Sequence, residues 1–241
     1  MLVRTWNAAR EKRIRELVEL VTADRPGVVM LQEVPKQASG SIGEWSGMKA
    51  FVDREETGFR SATSSVVLVP SNATEFLHKT ITLNTNVFCE EQGRRLGLDE
   101  KTTREWEKPR RICQVIRVAF PNRRHLVVAN VHCSTRPDGR MVDAELRRAL
   151  NFVERQVELN DILVFTGWYE LGGTQSESIA ALLGRPRESL WHGLQNPFPM
   201  LVVLGAQING YRTWPNDERT YDGKLLSSYP PVEIDLAADL G

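Results

Sequence analysis

Apolar positions along this chain follow two periods. Short apolar or alternating runs predict strands at Leu2–Trp6, Val28–Leu31, Ser64–Pro70, His78–Leu83, Arg111–Phe120, His125–Cys133, Ile162–Phe165, Met200–Ile208 and Pro231–Leu236. Gly210–Thr213 is a further strand candidate. Helical spacing appears from Ala8 to about Ala23, where Ile14, Leu17, Val18 and Val21 share a face, and Pro26-Gly27 stops it. It returns from Met141 to Leu159, with Leu146, Leu150 and Val153 on one side. Ser176–Leu183 predicts a short helix. The stretch from Cys89 to Trp106 is charged and weakly patterned, and fits either a helix or an exposed excursion. Phe120-Pro121-Asn122 between two strands fits an antiparallel hairpin. With strands throughout and no repeat or linker, residues 1–241 predict a single domain of two sheets packed face to face with helices outside.

Composition narrows the partners. The chain has 241 residues with 31 basic and 31 acidic side chains, so no global charge draws it to nucleic acid or a membrane. Local patches remain open at Arg110-Arg111, Arg123-Arg124 and Arg147-Arg148, although paired arginines are usually solvated surface. No apolar run approaches a membrane span. The opening MLVRTWNAAR lacks the apolar core and cleavage site of a signal peptide. Cys89, Cys113 and Cys133 are odd in number and far apart, which argues against a disulfide framework or a structural zinc site. The expectation is a monomer in the cytoplasm, or another intracellular or recombinant setting.

The chemistry-bearing residues fall at strand ends. The first strand delivers Asn7, the second Glu33, and the hairpin strand Asn130 and His132. The apolar run at Ile162 leads to Gly167-Trp168-Tyr169-Glu170, and Ser227-Ser228-Tyr229 precedes the closing strand. Strand ends are where α/β proteins commonly place their chemistry, so a large indole at Trp168 is unexpected.

Taken in order, TWN, LQEV, NVH, a strand followed by Gly-x-aromatic-x, and a serine turn before PVEIDL resemble the endonuclease/exonuclease/phosphatase superfamily, DNase I-like proteins included. The likeness spans nearly the whole chain. It implies a four-layer α/β/β/α sandwich, class α/β (α+β), with a Mg²⁺-dependent phosphodiesterase site at one edge of the paired sheets. Asn7 and Glu33 match the family's asparagine and metal-binding glutamate, and His132 its phosphate-contacting histidine. The remaining positions depart from the family. Trp168 stands for the aspartate that orients water, Glu170 for an asparagine, and Pro199 for a second aspartate. Ser228 and Tyr229 stand for a metal-binding aspartate and the general-base histidine.

Tryptophan, proline and tyrosine cannot serve as general bases at neutral pH, so phosphodiesterase chemistry is expected to be lost, with no metal site and no cofactor. The replacements suggest an apolar, aromatic-lined pocket for a small aromatic molecule, as in an active site redesigned for proton abstraction or ester hydrolysis. The candidate catalytic residues are His132, Glu170, Glu33 and Ser228. Trp168, Tyr229, Asn7 and Pro199 are the candidate substrate contacts. Ser228 takes a position that in the family lies near the histidine matching His132. Cys133 neighbours His132 on a strand and should face the other way. A natural non-catalytic binding domain and a surviving Mg²⁺ hydrolase are the alternatives.

Overall fold

The computed structural model describes residues 1–55, 62–108, 110–121, 124–134, 139–168, 190–193 and 200–237. Two six-stranded sheets dominate it. The first runs, in spatial order, β11 (Ile208–Thr213), β14 (Val232–Leu236), β1 (Leu2–Asn7), β2 (Val28–Pro35), β4 (Thr63–Val69) and β3 (Lys49–Glu55). The second runs β5 (Thr74–Thr82), β6 (Ile112–Ala119), β7 (Leu126–His132), β8 (Ile162–Trp168), β10 (Met200–Leu204) and β9 (Leu190–Gly193). A small hairpin joins β12 (Thr220–Tyr221) to β13 (Lys224–Leu225).

Each sheet contains one parallel pair, and each parallel pair is bridged by a helix, as parallel strands require. β1 and β2 are joined through α1 (Ile14–Thr22), and β7 and β8 through α5 (Gly139–Glu154). The other strand pairs in the two sheets are antiparallel.

Side-chain alternation sorts the layers. Val3, Val28, Met30 and Val67 of the first sheet meet Ile116, Val128, Ile162, Val164 and Leu201 of the second in the central core. The opposite face of the first sheet, with Val29, Leu31, Val66 and Leu68, is covered by Leu17, Val18 and Val21 of α1 and Ile42 of α2 (Ile42–Ser46). The opposite face of the second sheet packs Val127, Ala129, Val131 and Phe165 beneath Val142, Leu146, Ala149, Leu150 and Val153 of α5. The result is helix, sheet, sheet, helix, as expected. No helix among the described residues is long and apolar enough to cross a membrane.

The elements differ from the sequence expectation in instructive places. The stretch around Cys89–Trp106 forms two helices, α3 (Asn86–Leu96) and α4 (Glu100–Glu107). They bury little besides Cys89 and Trp106, which pack on Met141, so little apolar periodicity marks them. The first helix starts at Ile14 rather than Ala8, because Ala9 and Arg10 adopt left-handed backbone conformations, φ 49° and 59°. β8 continues past Phe165 to Trp168, paired along β7 to its end. The predicted helix at Ser176–Leu183 lies outside the described residues.

Candidate functional site

Between the sheets, apolar positions give way to polar ones toward the carboxyl ends of the parallel strands. β7 presents Leu126 and Val128 to the central core, and Asn130 and His132 continue that face. β1 runs from Val3 to Thr5 and Asn7, and β2 from Val28 and Met30 to Gln32. All five polar residues are buried. Gln32 Nε2 donates to Asn130 Oδ1 at 2.8 Å and to Thr5 Oγ1 at 3.1 Å. Asn130 Nδ2 donates to the Leu31 carbonyl at 3.1 Å, tying the two sheets together.

A one-residue bulge in β2 sets the next group. Leu31 pairs with Val66 but Val34 pairs with Ser64, so β2 carries an extra residue across that gap. Leu31 and Val34 both pack against the helices, which leaves Gln32 and Glu33 as consecutive residues off that layer. Glu33 has φ 53°, a left-handed conformation that is uncommon and costly outside glycine. Its Oε1 lies 3.4 Å from His132 Nε2, and its Oε2 lies 3.8 Å from Arg10.

His132 is fully buried. Its Nδ1 donates to Glu55 Oε2 at 2.6 Å, and Glu55, at the end of β3, is itself fully buried. Ser65 and Thr63 donate to the Glu55 carboxylate at 2.5 and 3.3 Å. Arg111 Nη1 sits 2.9 Å from His132 Nε2 and 3.9 Å from Glu55 Oε2. Glu33, Glu55, His132 and Arg111 therefore form one network, with Arg10 at its edge.

Burial and the charge of Arg111 oppose a charge on His132, but Glu55 and Glu33 outweigh them and the net direction of the imidazole pKa is up. Burial likewise opposes charge on both glutamates. For Glu33 the hydrogen bond and charge of His132, then Arg10 and Arg111, bring the net pKa down. For Glu55 His132, Ser65 and Arg111 do the same. Both ring nitrogens are thus occupied, Nδ1 by Glu55 and Nε2 by Arg111 with Glu33 close by.

Arg111 is placed by its backbone. Its N–H donates to Asn84 Oδ1 at 2.7 Å and its carbonyl accepts from Leu83 at 2.7 Å. Of the paired arginines expected at the surface, this one is buried. The compensating charges of Glu55 and His132 make that burial tolerable. Glu55 and Arg111 are the site residues that sequence reasoning missed.

On the other wall, Ser227 Oγ donates to the Asn7 carbonyl at 2.9 Å, and Trp6 Nε1 donates to the Tyr229 carbonyl at 2.6 Å. These bonds bring the Ser227–Tyr229 turn beside the end of β1. Asn7 Oδ1 accepts from the Ala9 N–H at 2.8 Å, while its Nδ2 is buried with no hydrogen-bond partner among the described residues. Tyr229 is half-buried. Ser228 is exposed whereas His132 is enclosed by Glu33, Glu55 and Arg111, so the structure does not join them into a nucleophile and base. Cys133 packs in the cluster beneath α5, away from this site. His78 and His125, for which the sequence suggests no partners, lie against Asp53 at 2.7 Å and Arg117 at 2.9 Å.

The backbone of Trp168 pairs in register with His132, which brings the end of β8 to the same edge. Just before it, Gly167 lies so close to β7 that an added Cβ would sit 1.9 Å from the Val131 carbonyl oxygen. Glu170 and Pro199 lie outside the described residues.

Magnesium takes an octahedron of oxygens, usually including one or two carboxylates. Here the Glu33 and Glu55 carboxylates face His132, and Arg10 and Arg111 place positive charge beside them. Among the described residues no group of three or more His, Cys, Asp or Glu is arranged to hold a metal ion.

No family model and no curated protein matches this sequence. Solved structures do match. A humanized D. rerio TDP2 with 14 mutations aligns at TM-score 0.69 and 14% identity over 99% of each chain. An endonuclease/exonuclease/phosphatase from Beutenbergia cavernae aligns at TM-score 0.69 and 15% identity, over 98% of this chain and 71% of its own. The human Nocturnin catalytic domain with bound sulfate aligns at TM-score 0.72 and 11% identity, over 98% of this chain and 93% of its own. At such identities the likeness concerns architecture, and on that ground this chain carries the DNase I-like fold that these structures share.

Proposed function

We propose that this chain is a metal-independent binding protein on a phosphodiesterase fold. Its cleft takes a small organic molecule, with a planar ring against Trp168 and Tyr229 and an anionic or carbonyl group at Asn7. The observation that carries this reading is the His132 clamp. An imidazole whose nitrogens are already engaged by Glu55, Arg111 and Glu33 is not free to abstract a proton from a substrate. The buried Asn7 Nδ2, unpartnered among the described residues, is a donor that a ligand oxygen would satisfy. The bound sulfate of the Nocturnin structure shows an anion held by a protein of this fold.

Loss of hydrolysis follows from the replacements at Trp168, Pro199, Ser228 and Tyr229, which remove the acids and the base that would activate water. A pocket redesigned for proton abstraction would need Glu170 as its base, since Glu33 and His132 are already paired with each other.

The test has two arms. An activated phosphodiester is expected to turn over no faster with Mg²⁺ than without it, and metal-stimulated turnover abolished by Glu33→Ala would overturn the proposal. An aromatic carboxylate such as benzoate is expected to bind saturably and to lose affinity in Asn7→Ala and Trp168→Ala. Restoring Asp at 168, 199 and 228, Asn at 170 and His at 229 together is expected to restore Mg²⁺ binding, measured by calorimetry.

A further inference from the structure

The helical layer over the second sheet holds a groove of about 480 Å³, separate from the cleft. Its walls include Phe88 and Arg95 of α3, Arg147, Arg148 and Phe152 of α5, and Arg155 just beyond that helix. Among the described residues, its lining includes four arginines and no acidic side chain. Arg95 and Arg147 are paired along their own helices, with Glu91 and Asp143. Arg148 and Arg155 have no carboxylate within ion-pair distance among the described residues.

Arg148 is the telling member. It is half-buried, its guanidinium carbon sits 4.5 Å from the Phe88 ring centre, and its Nη1 reaches the Thr85 hydroxyl only at 3.4 Å. Withdrawal from water pushes its pKa down, and no carboxylate offsets that. A cation held partly out of water without a counter-charge is costly unless something supplies one. Guanidinium groups beside aromatic rings suit a ligand that combines phosphate with a flat ring, since the fork matches phosphate and the rings accept stacking.

The extent of the patch selects the ligand. The groove is of small-molecule size, and the chain as a whole carries equal numbers of basic and acidic side chains. A strand of nucleic acid needs a charged track along many phosphates, whereas this patch is one discrete pocket. We propose that the groove between α3 and α5 is a binding site for a free mononucleotide, with its phosphate at Arg148 and Arg155 and its base against Phe152.

Calorimetry on the full chain at low salt, without divalent metal, tests this with adenosine monophosphate as the probe. One-site saturable binding is expected, with inorganic phosphate and adenosine each about tenfold weaker or more. Arg148→Met and, separately, Arg155→Glu are each expected to weaken binding about tenfold, while Asn7→Ala in the cleft leaves it in place. Arg155 is exposed, so its variant decides the matter even where Arg148→Met fails to fold. Absence of saturation, indifference to Arg155→Glu, or loss in Asn7→Ala would each overturn the assignment. Tighter binding of a single-stranded oligonucleotide, with affinity falling over many phosphates' worth of salt dependence, would replace a mononucleotide pocket with a strand-binding surface.

Discussion

The two strand–helix–strand units, β1–α1–β2 and β7–α5–β8, solve one problem in opposite ways. Each carries a parallel pair whose carboxyl ends reach the same edge of the sandwich. The first unit places its functional group by adding a residue, since the bulge in β2 sets Glu33 beside Gln32 at the cleft. The second unit works by omission: Gly167 lacks the side chain that would strike Val131, so β8 stays paired through Trp168. The units meet where Glu33 approaches His132, with Glu55 closing the other side. Addition leaves strain in the backbone, while omission leaves tight packing with no room to spare.

The largest effect should come from cutting the link between the sheets. Glu55→Ala leaves the buried Arg111 short of a counter-charge and His132 Nδ1 without its acceptor, at a cost of about 3–5 kcal/mol in urea unfolding. A cost under about 1 kcal/mol would mean that water or a displaced side chain compensates for the lost carboxylate. Next, Gly167→Ala should destabilise by about 1–3 kcal/mol, as β8 is forced away from β7. In a chain of this size that corresponds to a melting temperature lower by about 2–4 °C for each kcal/mol.

The shape of the pH–stability curve distinguishes the clamp from ordinary packing. His132 has a raised pKa, so its contribution is complete below its ordinary value of 6.5 and is lost as pH rises through the folded value. Glu33 and Glu55 have lowered pKa values, so theirs are complete above the ordinary 4.5 and are lost as pH falls through the folded values. Unfolding free energy should therefore be greatest from pH 4.5 to 6.5, declining on each side by at most about 1.4 kcal/mol per pH unit per proton. Glu55→Gln should flatten both flanks.

The smallest effect belongs to the strained loop of the first unit. Ala9→Gly, at φ 49°, should stabilise by about 0.5–1 kcal/mol in thermal unfolding, because glycine adopts that conformation without penalty.

Much of this scaffold is legible from apolar periodicity, because the central strands bury both faces and read as continuous apolar runs. β3 is not. Its residues Phe51, Asp53 and Glu55 alternate with Ala50 and Val52, which pack toward the helices. With acids on one side and only small apolar groups on the other, the usual contrast between a buried and a solvated face disappears. Glu55 goes unseen for that reason. Arg111 goes unseen because an Arg-Arg pair ordinarily marks solvated surface, and only its spatial neighbours reveal compensation. The bulge is invisible as well: LQEV has the same composition with or without it, and only the pairing of Leu31 and Val34 exposes the extra residue. Asn7, Glu33 and His132 stand out in the sequence by motif order, but the contact between Glu33 and His132 is framed by Glu55 and Arg111, which lie far from both in the chain.

The sheet itself has no need of the bulged acid. Excising that single codon would close the ladder while Gln32 and Val34 kept their present facings.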